Sequence, residues 1–187
     1  MIRVIAGKAG GIRLKTPKGL KTRPTIDRVK ESVFNILAPY IKGTVLDLFS
    51  GTGALGIEAL SRGADYAVFV DSDRNCCRII SENLEKTGFS GNAKVYCRRA
   101  DSVIRELGKN KTSFDMVFLD PPYLQNFIQD TLQLLIENGI IKHKGIIVAE
   151  HHRNEPVQTE GSGLEIFRSA DYGETVVSLL VFIGRGV

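Results

Sequence analysis

The sequence predicts an α/β domain built on a doubly wound, mostly parallel sheet. Three observations carry that expectation. Short apolar runs alternate with amphipathic stretches from residue 44 to residue 149. A glycine-rich loop stands directly after the first of those runs, and the last two runs follow one another with no helix between them. Apolar runs separated by helices are buried on both faces, as parallel strands are. A length of 187 residues suits one such domain with a short appendage. With 43% hydrophobic and 25% charged residues the chain fills a core, which excludes a disordered or collagen-like protein.

The elements follow in order. Thr25 is the candidate N-cap of a helix in which Val29, Val33, Phe34 and Leu37 recur at helical spacing, stopped by Pro39. Thr44–Leu48 reads as a strand and Ala54–Arg62 as a helix ended by Gly63. Tyr66–Val70 is the next strand, and Arg74–Thr87 a helix closed by Gly88. Lys94–Cys97 is a strand, followed by a short helix near Ser102–Leu107. Phe114–Leu119 is a strand of buried type, Phe127–Asn138 a helix terminated by Gly139, and Gly145–Ala149 the fifth strand. Leu164–Arg168 and Thr175–Ile183 then form a hairpin around Asp171–Tyr172–Gly173. It completes seven strands and leaves one antiparallel to the rest.

Charge divides the chain at residue 42. Residues 1–42 carry ten Lys/Arg against two acids, +8, whereas residues 43–187 carry 15 against 19, −4. A basic first fifth on a mildly acidic body predicts a polyanion-binding extension, residues 1–42, ahead of a catalytic or ligand-binding domain, residues 43–187. Val4, Ile5, Ile12 and Leu14, with Gly7, Gly10 and Gly11 between them and Pro17–Lys18–Gly19 as a turn, make the extension a small hairpin followed by a helix.

No apolar run approaches the ~18 residues of a membrane span, and Met1–Gly10 lacks the apolar stretch of a secretory signal, so a cytoplasmic protein is expected. Cys76, Cys77 and Cys97 form no CxxC pair and read as reduced packing residues. His143, His151 and His152 lack metal-ligand spacing, so no metal is expected.

The loop after the first strand runs Asp47-Leu-Phe-Ser-Gly51-Thr-Gly53-Ala-Leu-Gly56. Such glycines allow a tight turn and bring a ligand close to main-chain atoms at a helix N-terminus. Gly51-x-Gly53-x-x-Gly56 matches the dinucleotide fingerprint, and Asp71, at the end of the next strand, is placed to accept from ribose hydroxyls. A nicotinamide oxidoreductase satisfies this pattern. S-adenosylmethionine satisfies it equally, with Asp47 holding its cationic amino group directly or through water and Asp101 accepting from the adenine edge. Next to a pyrophosphate, the Asp47 carboxylate is electrostatically unfavourable. The loop specifies a nucleoside cofactor without choosing between the two.

Asp120-Pro121-Pro122-Tyr123 follows the buried strand Phe114–Leu119 directly, beyond the strand end where open α/β sheets bind ligands. The prolines hold Asp120 and Pro121 extended. The Asp120 carboxylate and the Pro121 carbonyl then form a rigid pair of acceptors with Tyr123 as a flat platform. That arrangement suits the exocyclic amino group of a nucleobase. Two acceptors on its N–H bonds favour the pyramidal nitrogen and aim its lone pair, and the base stacks on Tyr123. Hydride transfer has no use for such a pair. On spacing alone, the amino group of guanine or of adenine (N6, in DNA or RNA) fits.

These residues resemble the amino-directed, S-adenosylmethionine-dependent methyltransferases, with their [Asp/Asn]-Pro-Pro-[Tyr/Phe] motif. More narrowly, the chain resembles the bacterial 16S ribosomal RNA guanine-N2 methyltransferase family. The likeness runs from Arg3-Val-Ile-Ala-Gly-Lys8 and Thr22-Arg-Pro-Thr-x-Asp27-Arg-Val-Lys-Glu31, with Phe34-Asn35, through the glycine loop and Phe118-Leu-Asp-Pro-Pro-Tyr123 to Tyr172-Gly173. The glycine loop is shared widely; the extension combined with the DPPY motif is far more specific. The resemblance implies cofactor contacts at Asp47, Gly51, Gly53, Asp71 and Asp101, with Ser50, Thr52 and Ser72 beside them. It implies target-base contacts at Asp120, Pro121 and Tyr123, braced by Pro122. Asp71 stands where the family often has Glu, one methylene longer. Lys8, Arg13, Lys15, Lys18, Lys21, Arg23 and Arg28 are the candidate contacts to RNA phosphates.

Overall fold

The computed structural model describes residues 2–17, 24–122 and 126–184, with residues 24–28 described through their backbone alone. Strands β1 (Thr44–Leu48), β2 (Tyr66–Asp71), β3 (Ala93–Cys97), β4 (Phe114–Leu119), β5 (Ile141–His152), β6 (Leu164–Tyr172) and β7 (Thr175–Phe182) form one sheet. Their order is β3-β2-β1-β4-β5-β7-β6. The first five are parallel, and β7 runs antiparallel to both of its neighbours. Parallel neighbours need long crossovers. Helices α2 (Ala54–Ser61), α3 (Arg74–Thr87), α4 (Ala100–Lys109) and α5 (Phe127–Glu137) provide them, while β6 and β7, joined through Gly173 at φ +77°, can pair only antiparallel.

Strand alternation sorts the apolar side chains into two layers. Val45, Phe69, Phe118 and Val148 face α2, α3 and helix α1 (Pro24–Leu37). Leu46, Val68, Val117 and Ile147 face α4 and α5. The chain steps outward from β1 to β3 and then returns to lay β4 on the other side of β1. Loops leaving β1 and β4 therefore diverge to opposite faces and open a crevice at the C-terminal strand ends.

Several boundaries differ from the sequence reading: β6 runs on to Tyr172 and β5 to His152, where Arg168 and Ala149 were expected as ends. Helix α1 starts at Pro24, so Thr25 lies in its first turn and is not the N-cap; proline fits a first helical position because its missing N–H has no intrahelical partner there. Helix α4 begins at Ala100 and takes Asp101 into its first turn; Arg99 offers no side-chain cap, so the sequence does not mark the start. Strand β5 begins at Ile141: a bulge, with Lys144 at φ +63°, absorbs the jump from Phe114↔Ile141 to Met116↔Ile146 and hides the strand's polar beginning.

The extension is a folded piece. Arg3 and Arg13 bridge antiparallel, Val4 N–H donates to the Ile12 carbonyl at 2.9 Å, and Leu14 N–H to the Ile2 carbonyl at 2.9 Å. Ile2, Val4 and Leu14 are buried in the same apolar layer as α1 and α2. Among the described residues no helix is long and apolar enough to cross a membrane. No group of three His, Cys, Asp or Glu side chains among them is arranged to hold a metal. The three thiols are free, but they are not alike. Cys77 is buried and Cys76 half-buried, as packing residues are, whereas Cys97 is exposed because β3 is the sheet edge.

Candidate active site

The glycine loop turns through three residues at positive φ: Phe49 (+60°), Gly51 (+55°) and Gly53 (+75°). Its main chain is tied from both sides. Gly51 N–H donates to Asp71 Oδ2 at 2.8 Å, and Asp71 Oδ1 accepts from Asp73 N–H at 2.8 Å, which orients the carboxylate at the end of β2. Ser50 Oγ donates to the Asp47 carbonyl at 2.5 Å and accepts from Val70 N–H at 2.9 Å, riveting β1 to β2. Gly56 is needed for close packing: a Cβ there would stand 2.4 Å from the Phe69 ring.

Asp47 lies beneath this loop, 2% exposed, with Oδ2 accepting from Gly56 N–H at 2.9 Å. Burial pushes its carboxyl up to about 8, against the opposing pull of the Gly56 N–H and with help from the charge of Asp71. Ser50 and Thr52 are likewise buried braces. The Thr52 carbonyl accepts from Asn83 Nδ2 at 2.9 Å.

A cavity of about 710 Å3 occupies the crevice. Asp71, Ser72, Asp101, Asp120, Pro121 and Pro122 all line it, so the ends of β2 and β4 and the start of α4 converge on one space. Asp47, Ser50 and Thr52 sit behind the wall. Asp101 is bound by Arg99 Nε at 3.0 Å, and that hydrogen bond holds its carboxyl below the usual carboxylate range. Asp120 is exposed and open to the cavity. Desolvation raises its carboxyl well above the ordinary value, and the charges of Glu150 and Asp47 act in the same direction. Tyr123 lies outside the described residues.

Other lining residues were not foreseen. Phe49 and Phe127, ring centroids 6.0 Å apart, form an apolar jaw; Phe49 owes its place to its positive φ, which no spacing rule announces. Arg98, Arg99 and Arg105 line the opposite rim. The Arg98-Arg99 pair was visible after Cys97, but it lies within the net-negative body.

The extension docks on α2 and α3. Glu58, fully buried, accepts from Ile5 N–H (2.7 Å) and Ala6 N–H (3.1 Å), and Ser61 Oγ accepts from Ala9 N–H (2.9 Å). Asn83, also fully buried, accepts from Lys15 N–H at 2.7 Å and donates to the Lys15 carbonyl at 3.1 Å, linking the extension to the glycine loop through Thr52. Lys8 and Arg13 are exposed, and Lys86 of α3 reaches the Arg13 carbonyl at 2.7 Å, adding a cation to the strip. Lys15 is paired with Glu82 at 2.9 Å, and Lys30 is buried at 3.3 Å from Glu58. The surface of the extension is therefore less basic than its sequence. Lys18, Lys21 and Arg23 lie outside the described residues, as does the side chain of Arg28.

A family profile described as conserved hypothetical protein 95 matches residues 2–181. A Bacillus subtilis (strain 168) protein called putative rRNA methyltransferase YlbH is 40% identical over 179 residues, spanning 95% of this chain and 97% of that protein. The ribosomal RNA small subunit methyltransferase D of Escherichia coli (strain K12) is 36% identical over 179 residues, spanning 95% of this chain and 88% of the enzyme. The solved putative methyltransferase yhhF from Escherichia coli superposes with a TM-score of 0.86 at 34% identity, covering 97% of each chain. With its extension, glycine loop and proline-braced corner in the arrangement described, the chain belongs to the conserved hypothetical protein 95 family, the family of small-subunit ribosomal RNA methyltransferase D.

Proposed function

We propose that this protein methylates the exocyclic N2 amino group of a guanine in 16S ribosomal RNA, using S-adenosylmethionine, in the cytoplasm. The RNA is taken alone or within the small ribosomal subunit. The observation that carries the reading is that Asp120 and Pro121 open into the same cavity as Asp71. That shared cavity supports a reading in which Asp71 accepts from the cofactor ribose while Asp120 and Pro121 accept from the amino group of the base.

The residues fit the cofactor. Asp71, held by two backbone N–H groups, faces the cavity to accept from ribose hydroxyls, and Phe49 with Phe127 offers an apolar wall for a purine. The buried Asp47 and the desolvated Asp120 favour a positively charged guest over a pyrophosphate. When bound, S-adenosylmethionine supplies an electrophilic methyl carbon on a sulfonium, which passes to the base nitrogen as the carbon–sulfur bond breaks.

The chain's own part is orientation and proton handling. Asp120 and the Pro121 carbonyl accept the two N–H bonds of the amino group and direct its lone pair into the cavity. Tyr123 is assigned the stacking role, worth roughly 1–3 kcal/mol. Asp120, its basicity raised by desolvation, takes the proton that the methylated nitrogen loses. Lys8, Arg13 and the remaining basic residues of the extension contact phosphates, offsetting the few kcal/mol needed to expose a structured base.

The test is mass-spectrometric mapping of nucleosides in 16S ribosomal RNA from a strain lacking the protein. Loss of one N2-methylguanosine, restored by the wild-type chain, is expected. A methylation pattern identical to that of the parent strain would overturn the reading, and loss of an N6-methyladenosine would replace guanine with adenine.

A further inference from the structure

The net-negative body is itself uneven. Residues 93–112, from β3 through α4 to the turn beyond it, hold six Lys/Arg against two acids, +4, whereas the rest of residues 43–187 holds nine against 17, −8. All six cations, Lys94, Arg98, Arg99, Arg105, Lys109 and Lys111, are exposed, but they are not equivalent. Arg98 is tied to Glu106 and to Ser102 Oγ, Arg99 to Asp101, and the Lys94 ammonium lies 4.5 Å from the centre of the Tyr96 ring. Arg105, Lys109 and Lys111 have no acid, carbonyl or ring partner among the described residues. One-turn spacing stacks Asp101, Arg105 and Lys109 on one face of α4. Asp101 and Arg105 line the crevice, so Lys109 continues that face along the helix, away from the rim.

We propose that Arg105, Lys109 and Lys111 form a second RNA-binding surface, which holds backbone phosphates of the RNA strand that carries the target base. The inference rests on the RNA methylation reading above and adds a contact outside the extension. Arg105 opens into the cavity that Asp120 and Pro121 line, so an RNA strand delivering a base to that corner passes it. Arg105 and Lys109 stand one helical turn apart, about 5.4 Å, a spacing that flexible side chains adapt to successive phosphates. The two basic surfaces also lie on opposite layers of the sheet. The extension packs with α1 and α2, α4 packs on the other face, and the crevice opens at the strand ends between them. An RNA strand laid across those ends is held on both sides of the base that leaves it, which offsets the cost of extracting that base. The negative remainder of the body repels RNA, so the two surfaces define its path.

The experiment uses small ribosomal subunits, and protein-free 16S RNA, from a strain lacking the protein. Binding is measured across a salt series and methyl transfer at fixed salt. Lys109→Gln/Lys111→Gln, at positions outside the crevice, should reduce the slope of log K against log salt by about 1.4, at ~0.7 per phosphate contact. Adding Arg105→Gln should bring the reduction to about 2.1. At ~0.15 M salt the double variant should raise KM for the subunit about tenfold, with kcat within about twofold of wild type. Lys109→Arg/Lys111→Arg, which keeps both charges, should keep the wild-type slope. Calorimetric affinity for S-adenosylmethionine should stay at the wild-type value in every variant, which confirms folded protein. A triple variant that keeps the wild-type slope overturns the surface, and a loss of cofactor affinity in its place assigns Arg105 to the cofactor. A slope that falls on subunits but not on protein-free RNA overturns the RNA assignment in favour of an acidic protein. If wild type transfers no methyl group to the subunit RNA, the methylation reading itself has failed.

Discussion

Glu58 and Asp120 both have charged neighbours, and the chain neutralises only the first. Glu58, fully buried, is surrounded by Ile5 N–H, Ala6 N–H, Arg62 Nε at 2.7 Å and the Lys30 ammonium. Asp120 has no cation beside it among the described residues; its charged neighbours are Glu150 and Asp47, which raise its carboxyl further. A buried charge is tolerable when the protein brings its own counter-charges and donors. Where it brings like charges instead, the stabilising partner has to arrive from outside. Glu58 fastens the extension to α2, whereas Asp120 stands exposed at the crevice among like charges. The contrast separates structural from functional carboxylates without reference to any relative.

Breaking the structural side gives the largest effect. Glu58→Ala leaves Lys30 and Arg62 without their common partner and should cost about 3–5 kcal/mol of stability in denaturant melts. Turnover per folded molecule should hold where the variant remains native. A loss below 1 kcal/mol would mean that the Glu58 cluster is not what fastens the extension.

Breaking the functional side acts on rate. Asp120→Ala should lower kcat about 10²–10³-fold or more while cofactor affinity stays within a few-fold. Asp120→Asn, which keeps a carbonyl acceptor, should lose less. Near-normal turnover in Asp120→Ala would remove the acceptor pair from the mechanism.

Protonation sharpens the comparison further. The folded-state carboxyl of Asp47 lies at about 8, above its ordinary 3.8. The free protein is therefore favoured by the protonated form: the contribution of Asp47 to stability is complete below pH 4 and is lost as pH rises through about 8. A cationic ligand favours the ionised form. Affinity for S-adenosylmethionine should accordingly rise from pH 5.5 to 7, by at most roughly tenfold per pH unit, with proton release detectable by calorimetry in buffers of different ionisation enthalpy. Asp47→Asn should flatten this dependence, and a wild-type affinity constant over that window would show that the ligand does not sense Asp47.

The smallest effect concerns the exposed part of the extension. Replacing Lys8 and Arg13 together by alanine should reduce the slope of log K for RNA against log salt by about 1.4, at ~0.7 per phosphate contact. Lys15→Ala should change it less, because Glu82 already holds that ammonium. An unchanged slope in the double variant would remove Lys8 and Arg13 from the phosphate-binding strip.

Much of this molecule is written locally. Period and punctuation alone locate β1, β4, α3 and the closing hairpin, because burial on two faces demands continuous apolar runs and because Gly88 and Gly173 occupy left-handed backbone at the turns. The crevice follows from topology, which places Gly51 and Asp120 at neighbouring strand ends. Other features depend on partners far away in the chain. The start of β5 is obscured by a polar bulge whose register is set by β4. Counting charge assigns Lys15 and Lys30 to a basic surface, yet Glu82 and Glu58, more than 25 residues distant, neutralise them.

Residue order by itself determined the doubly wound fold, the glycine loop and the proline-braced corner, since each is a short-range consequence of side-chain period, glycine freedom and proline rigidity. Tertiary structure alone decided which acids are satisfied and which are poised. It buried Asp47 under its own helix and enclosed Glu58 with cations. It also set Glu150 beside Asp120, 30 positions earlier in the chain. Electrostatic fate depends on distance and on the exclusion of water, and both are properties of the folded chain.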